Sequence, residues 1–388
     1  VLLLAVAAPA ADLSAQQWLH DDGTETNNSL FRLLDEWPDP NDYRNAAGMP
    51  GPNYWQQQAD YDIDVTLDTV DHVAAGSERI TYHNNSPTTL RFLWIQLDQN
   101  TRSLEHSRSY QARGALPERI SPQARRFLGL DLFDGGHMLT RVQLVGSDGS
   151  LVDAEYRINN TIMRVELDEP LESGATQALE IDWSFRIPNS GRGGKELVSD
   201  GWIYELAQWF PRMSVYDDVN GWQTDQFLGR GEFYLEFGNY DVKITVPWNH
   251  IVDATGDLQN PTEVLTPTQM ARLEEAYSSE EPRFIVGADE VMDPDARPVQ
   301  SGMLTWHYKA ENVRDFAWVS SKLFVWDAAG FQYSPEHEVI KVHSLYPREA
   351  MPLWDKVSTR ATLQTLKTYG RMAFEYPYPK AINVNGPQ

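Results

Sequence analysis

The chain of 388 residues has no cysteine, which removes thiol catalysis, disulfides and Cys-ligated metal together. Any metal must then be held by His, Asp or Glu. Positive charge is also scarce: 32 Lys and Arg face 56 Asp and Glu, for a formal net charge of −24. So acidic a surface repels phosphate backbones and argues against nucleic acid as a partner. Long apolar runs are missing too. After the opening VLLLAVAAPAADLSAQQW no stretch approaches the ~18 apolar residues that a membrane helix needs, so no membrane span is expected. The opening itself reads as the rear of a signal-peptide core, with Ala8-Pro9-Ala10 a small-x-small cleavage pattern. Residues 1–15 are therefore expected to be a signal remnant, and the protein periplasmic or secreted. What is abundant is aromatic: 13 Trp, 17 Tyr and 14 Phe, enough to build sizeable cores.

The stretch PEHEVIKVH, residues 335–343, places Glu338 directly after His337 and follows with His343. A His-Glu-x-x-His zinc motif needs its histidines at i and i+4 on one helix face. Here the spacing is six. On a helix that is roughly 240° of rotation, and the rings diverge. On a strand the two rings stand about 20 Å apart. Val339-Ile340-Lys341-Val342 favours a strand. His72, His83, His250 and His307 occur singly, and no histidine pair has ligand spacing. The chain is thus expected to hold no metal ligands of its own. NSGRGGKEL (189–197) is not a phosphate loop, because Asn189 and Glu196 stand where that motif requires Gly and Ser or Thr.

Residues 16–59, rich in Trp, Pro and Asn, read as an extended arm laid over a domain. From Tyr61 the pattern has period two: Tyr61, Ile63, Val65 and Leu67 alternate with Asp62, Asp64, Thr66 and Asp68. Strands are expected at 78–84, 90–97, 140–146, 161–167, 178–187, 232–237 and 241–247. They make a mainly β unit over 60–325, a sandwich or saddle-like curved sheet, with a helix or loop at 266–282. After the strand at 338–345, a helix is expected from Pro347 to about Ala373. Its apolar stripe would hold Trp354, Val357, Ala361, Leu363, Leu366, Gly370 and Ala373. KAINVNGP opens a further strand, so residues 326–388 read as the truncated start (strand, long helix, strand) of an α/β domain.

Four segments in order resemble the aminopeptidase N family of gluzincin zinc metallopeptidases. They are YDIDVTLDT with the hairpins that follow, AQWFPRMSVYDDVNGW through DVKITVP, VRDFAWVSSKLFVWD, and FEYPYPKAINVNGP. The resemblance covers roughly residues 55–388. It implies that the α/β start belongs to a thermolysin-like catalytic domain. It also implies that the exopeptidase segment and the His-Glu-x-x-His helix lie beyond Gln388. The parent would use Zn and act on peptide substrates, removing N-terminal residues, while this fragment would be inactive alone. In related enzymes the β domain lends a Gln or Glu to the pocket for the substrate's first residue. Glu205 and Gln208, in YELAQWFP, are the substrate-binding candidates this implies. Two other readings stand beside it: a secreted carbohydrate- or protein-binding sandwich whose tryptophans stack on ligand, and a catalytically inactive homologue.

Overall fold

The computed structural model describes residues 40–106, 133–189, 193–227 and 233–386. The signal remnant and the first part of the arm lie outside the described residues. Where the arm is described it follows the surface: Arg44 pairs with Asp218 at 2.8 Å and Trp55 stacks on Tyr216 at 5.6 Å.

The protein is mainly β. Its largest sheet has eight strands, in the order Asp257–Leu258, Met303–Val313, Gly238–Pro247, Gln58–Asp68, Val73–His83, Thr176–Arg186, Met138–Val145 and Leu151–Asp153. In Gln58–Asp68 the residues Ala59, Tyr61, Ile63, Val65 and Leu67 are buried, and the aspartates face outward, as the period of two requires. Ile63, Val65 and Leu67 each contribute about 1.5–3 kcal/mol through this burial. This strand pairs antiparallel with Val73–His83 but parallel with Gly238–Pro247, from far along the chain.

Two four-stranded sheets share the core of the large one. The first contains Arg212–Met213, Leu90–Gln96, Ile162–Leu171 and Tyr156–Asn159. It is tied across the core by Met213 N–H, which donates to the Tyr61 hydroxyl (2.9 Å). The second, called here the lateral sheet, contains Ile251–Ala254, Trp318–Ser321, Gly201–Leu206 and Gly194–Val198. The Tyr308 hydroxyl ties it to the large sheet by donating to Val252 O (2.9 Å).

A last sheet, the end sheet, orders Arg283–Val286, Val325–Phe331, Ile340–Tyr346 and Lys380–Val384. Ile340–Tyr346 and Lys380–Val384 are parallel, joined by the helix Trp354–Met372. Parallel neighbours need such a crossover. The position 325/326, chosen from the sequence as a boundary, falls where Val325–Phe331 begins. Its neighbour Arg283–Val286 comes from earlier in the chain, and the helix Pro267–Tyr277 packs beside it. One continuous core runs through Val325, Trp326, Leu345 and Tyr346 into the large sheet. The end sheet and the β unit are therefore fused through a shared interior.

Three expectations differ from the structure. Residues 233–237 are not a strand, because their partner strand begins only at Gln58; Phe237 makes one isolated bridge to it. The helix begins at Trp354, with a short 3-10 turn at Arg348–Ala350 before it, since Pro352 interrupts helical hydrogen bonding. Its buried face is not the expected stripe. Val357 is 47% exposed, while Ser358 and Thr359 are buried with Leu363 and Leu366. The reason is polar. Asp327, buried in the end sheet, accepts from the Tyr346 hydroxyl (2.7 Å) and from Thr359, and Thr359 also meets Ser344 (2.6 Å).

Candidate functional site

The two candidate residues lie on the lateral sheet and in the turn after it. Tyr204 and Leu206 are buried anchors of Gly201–Leu206, so the intervening Glu205 points to the opposite face and is half-buried. Its strand neighbours are Val319 and Gly194. The Glu205 side chain reaches the backbone just after the end sheet. A Cβ built on Gly386 would overlap Glu205 Oε2 and lie 3.6 Å from Glu205 Cβ. A side chain at 386 would make the Glu205 carboxylate shift. Glu205 thus stands where the lateral sheet and the chain leaving the end sheet meet.

Gln208 turns the other way. It adopts a left-handed backbone (φ 53°), which is uncommon outside glycine. The turn is held because Gln99 Nε2 donates to Gln208 O (2.9 Å) and Trp209 Nε1 donates to Phe316 O (2.8 Å). The Gln208 side chain lies beside Asp315 and helps lower that carboxyl against the rise that burial imposes. Asp315 in turn meets Arg212 at 2.7 Å, and Arg212 also pairs with buried Asp98. The two flanking carboxylates hold the Arg212 guanidinium above its ordinary pKa despite burial. Gln208 therefore belongs to the network that fixes the turn, while Glu205 faces the end sheet.

The histidines have local partners. His337 is exposed and pairs with Glu375 (2.7 Å) and Ser334 (2.8 Å). His343 is buried, and both its nitrogens are engaged, Nδ1 with Asp253 (2.6 Å) and Nε2 with the Tyr277 hydroxyl (2.9 Å). The Asp253 carboxylate can only accept, so His343 Nδ1–H donates to it, while Nε2 is taken up by the Tyr277 hydroxyl. Asp253 also accepts from Lys380 Nζ (2.8 Å), so a cation already sits beside it. Burial alone would raise the Asp253 pKa, but Lys380 and His343 overcome it and hold the carboxyl well below its usual range.

Of the remaining singles, His72 meets Tyr204 (2.8 Å), His83 meets Asp60 (2.9 Å), His250 meets Ser320 (2.8 Å) and His307 meets Asp241 (2.6 Å). Among the described residues no group of three or more His, Asp and Glu is arranged to hold a metal ion. The described residues thus do not form a zinc site. Lys195, of the glycine-rich segment, is buried and donates to Ile187 O (2.5 Å), and desolvation pushes its pKa down to about 8. Asp217 accepts from the backbone N–H of Val219 (3.0 Å) and Asn220 (2.7 Å), which is turn chemistry. No helix among the described residues is long and apolar enough to cross a membrane, a statement that does not bear on membrane β-barrels.

Sequence reasoning did not find the Asp253–His343–Lys380–Tyr277 cluster. Its members lie up to 127 residues apart, and no local motif connects them. The one available signal was an acid, a histidine and a lysine each standing inside an otherwise apolar strand pattern.

No family model matches the chain, and no curated protein matches it. Among solved structures it is similar to the M1 zinc metallopeptidase from Deinococcus radiodurans, with 12% identity, 86% of this chain and 57% of that one covered, and a TM-score of 0.47. A mutant of the M1 enzyme from the same organism, bound to a Tyr-Ser-Ala substrate, matches at 12% identity, with 87% and 58% covered and a TM-score of 0.47. A two-domain M1 zinc metallopeptidase mutant bound to L-arginine matches at 12%, with 87% and 58% covered and a TM-score of 0.46. The chain spans 57–58% of the length of these enzymes.

Proposed function

We propose that this chain is the amino-terminal part of a periplasmic or secreted zinc-dependent aminopeptidase acting on peptides. In this reading its β unit supplies one wall of the substrate pocket, and the zinc site lies on chain beyond Gln388. The observation that carries the reading is the contact between Glu205 and Gly386. The family resemblance puts the substrate's first residue between the β unit and the segment following the Tyr-Pro stretch, and Glu205 occupies that joint. A carboxylate there suits a cationic α-amine, and Gln208 supports it by fixing the turn. Zinc would be supplied by residues outside this chain, so no hydrolytic step is assigned to the residues described here.

The sugar-binding alternative needs flat aromatic faces open to ligand. Trp183, Trp209, Trp222, Trp306, Trp318 and Trp326 are buried, Trp55, Trp94, Trp202, Trp248 and Trp354 are half-buried, and Tyr369 and Phe374 are exposed.

The test is to extend the chain past Gln388 and assay aminoacyl-arylamides with and without a chelator. Activity is expected only in the extended chain, and chelation should abolish it. Glu205→Gln is expected to raise KM about ten-fold or more, as loss of a charge-assisted hydrogen bond of ~1.5–3 kcal/mol requires. Activity that survives chelation would defeat the zinc assignment. Unchanged KM and substrate ranking in Glu205→Gln would defeat the pocket assignment.

A further inference from the structure

Among the described residues Lys380–Val384 is an edge strand of five residues, paired only with Ile340–Tyr346. Four of its side chains are half-buried. The one that is buried is a lysine. The Lys380 side chain is 4% exposed and lies 4.8 Å from the centre of the Tyr308 ring, with its ammonium on Asp253 of the lateral sheet. Asp253 is fixed from its other oxygen by His343 of the neighbouring strand, and His343 by Tyr277. An apolar residue at 380 would serve packing equally well, since buried ion pairs contribute little net stability. What a buried pair does supply is register, because only one alignment satisfies it. A slip of one residue would turn Lys380 to the other face and carry everything after it by about 3.3 Å. The strand continues through Asn385, whose N–H donates to Leu345 O (2.9 Å), directly to Gly386 on Glu205.

We propose that Lys380 and Asp253 are positioning residues: their ion pair sets the register of the edge strand and so delivers Gly386 to Glu205. The proposal rests on the reading of Glu205 as a wall of the substrate pocket, but its test does not. Because the chain has no cysteine, a Glu205→Cys/Gly386→Cys pair reports the contact without background. The 3.6 Å between Glu205 Cβ and the Cβ position at Gly386 falls within the range for a disulfide, roughly 3.5–4.5 Å.

In the otherwise native chain this pair is expected to oxidise to near completion. Adding Lys380→Met should slow cross-linking at least ten-fold, and Lys380→Arg, which keeps the charge on Asp253, should restore it. A Lys380→Met chain that is folded by circular dichroism and cross-links at the native rate would overturn the proposal. If Lys380→Met does not fold, the doubly apolar Lys380→Met/Asp253→Leu chain takes its place, with no buried charge left unpaired. It must show the same slowing, and native-rate cross-linking in it is equally fatal. Cross-linking reads position and not hydrolysis, so an inactive extended chain would leave this result standing.

Discussion

At the junction of the lateral and end sheets, Asp253 is enclosed by Lys380 and His343. Inside the β unit, Glu78 is enclosed by Trp183, Tyr61 and Tyr240. Both carboxyls are buried to a similar degree. Asp253 stays ionised far below its ordinary range. Glu78 is pushed well above its own by desolvation, and the Trp183 indole only softens this without forming a hydrogen bond of good geometry. Near Trp183, His137 is also without a hydrogen-bond partner for either ring nitrogen among the described residues, and burial lowers it to about 3. Burial therefore does not decide the charge of an interior group in this protein. The partner does. Where a buried group finds an opposite charge, as Asp253 finds Lys380 and Arg212 finds Asp98, the charge is kept. Where it finds none, as at Glu78 and His137, desolvation favours the neutral form.

The largest test of that contrast breaks the pair. Lys380→Met should lower unfolding stability at pH 7 by about 3–5 kcal/mol, because it strands a buried carboxylate. Lys380→Met/Asp253→Leu should lose clearly less. Denaturant midpoints of the two variants decide it, and equal losses would show that packing, not pairing, holds the junction.

Next is the pH dependence of the neutral cluster. A carboxyl whose folded pKa is raised contributes stability fully below its unfolded pKa and loses it as pH rises toward the folded value. Glu78→Gln should therefore gain stability relative to the native chain as pH climbs above about 4.5. His137 has the opposite sense. Its contribution is full above its unfolded pKa of about 6.5 and is lost as pH falls toward about 3. His137→Phe should thus flatten the acid side of the curve, by ~2 kcal/mol at pH 5. Unfolding series from pH 5 to 8 that run parallel in native and variant chains would contradict the neutral assignment.

The smallest effects compare two faces of one helix. Thr359→Val removes a buried donor to Asp327 and should lose about 1–3 kcal/mol. Val357→Ser lies on the exposed face and should change stability by less than ~0.5 kcal/mol. A reversed ranking would restore the apolar stripe that the sequence suggests.

These elements show how far the sequence could be read. The strand read from Tyr61 was legible because its period of two is local, as were those at 90–97, 140–146, 161–167 and 178–187, whereas the short strands Leu151–Asp153 and Tyr156–Asn159 were not expected. Segment 233–237 carried the same kind of pattern and failed, because a strand also needs a neighbour and the neighbour ends at Gln58. The helix was legible in kind but not in orientation: hydropathy ranks Val357 above Thr359, and the buried Asp327 reverses them. Of the site, the sequence named Glu205 and Gln208 together. The structure turns one toward Gly386 and the other toward Asp315.

Residue types and spacing determined by themselves that this chain is β-rich, acidic, free of thiol chemistry and without histidines spaced to chelate. Each of these follows from composition or from contacts a few residues apart. Only the tertiary structure decided that His343 is a buried hydrogen-bonding group, that Lys380 sits charged in the interior, and that residues 283–286 complete the end sheet. Those outcomes depend on groups 40 to 127 residues apart being brought into one low-dielectric space, where a partner's presence or absence outweighs the residue's own preference.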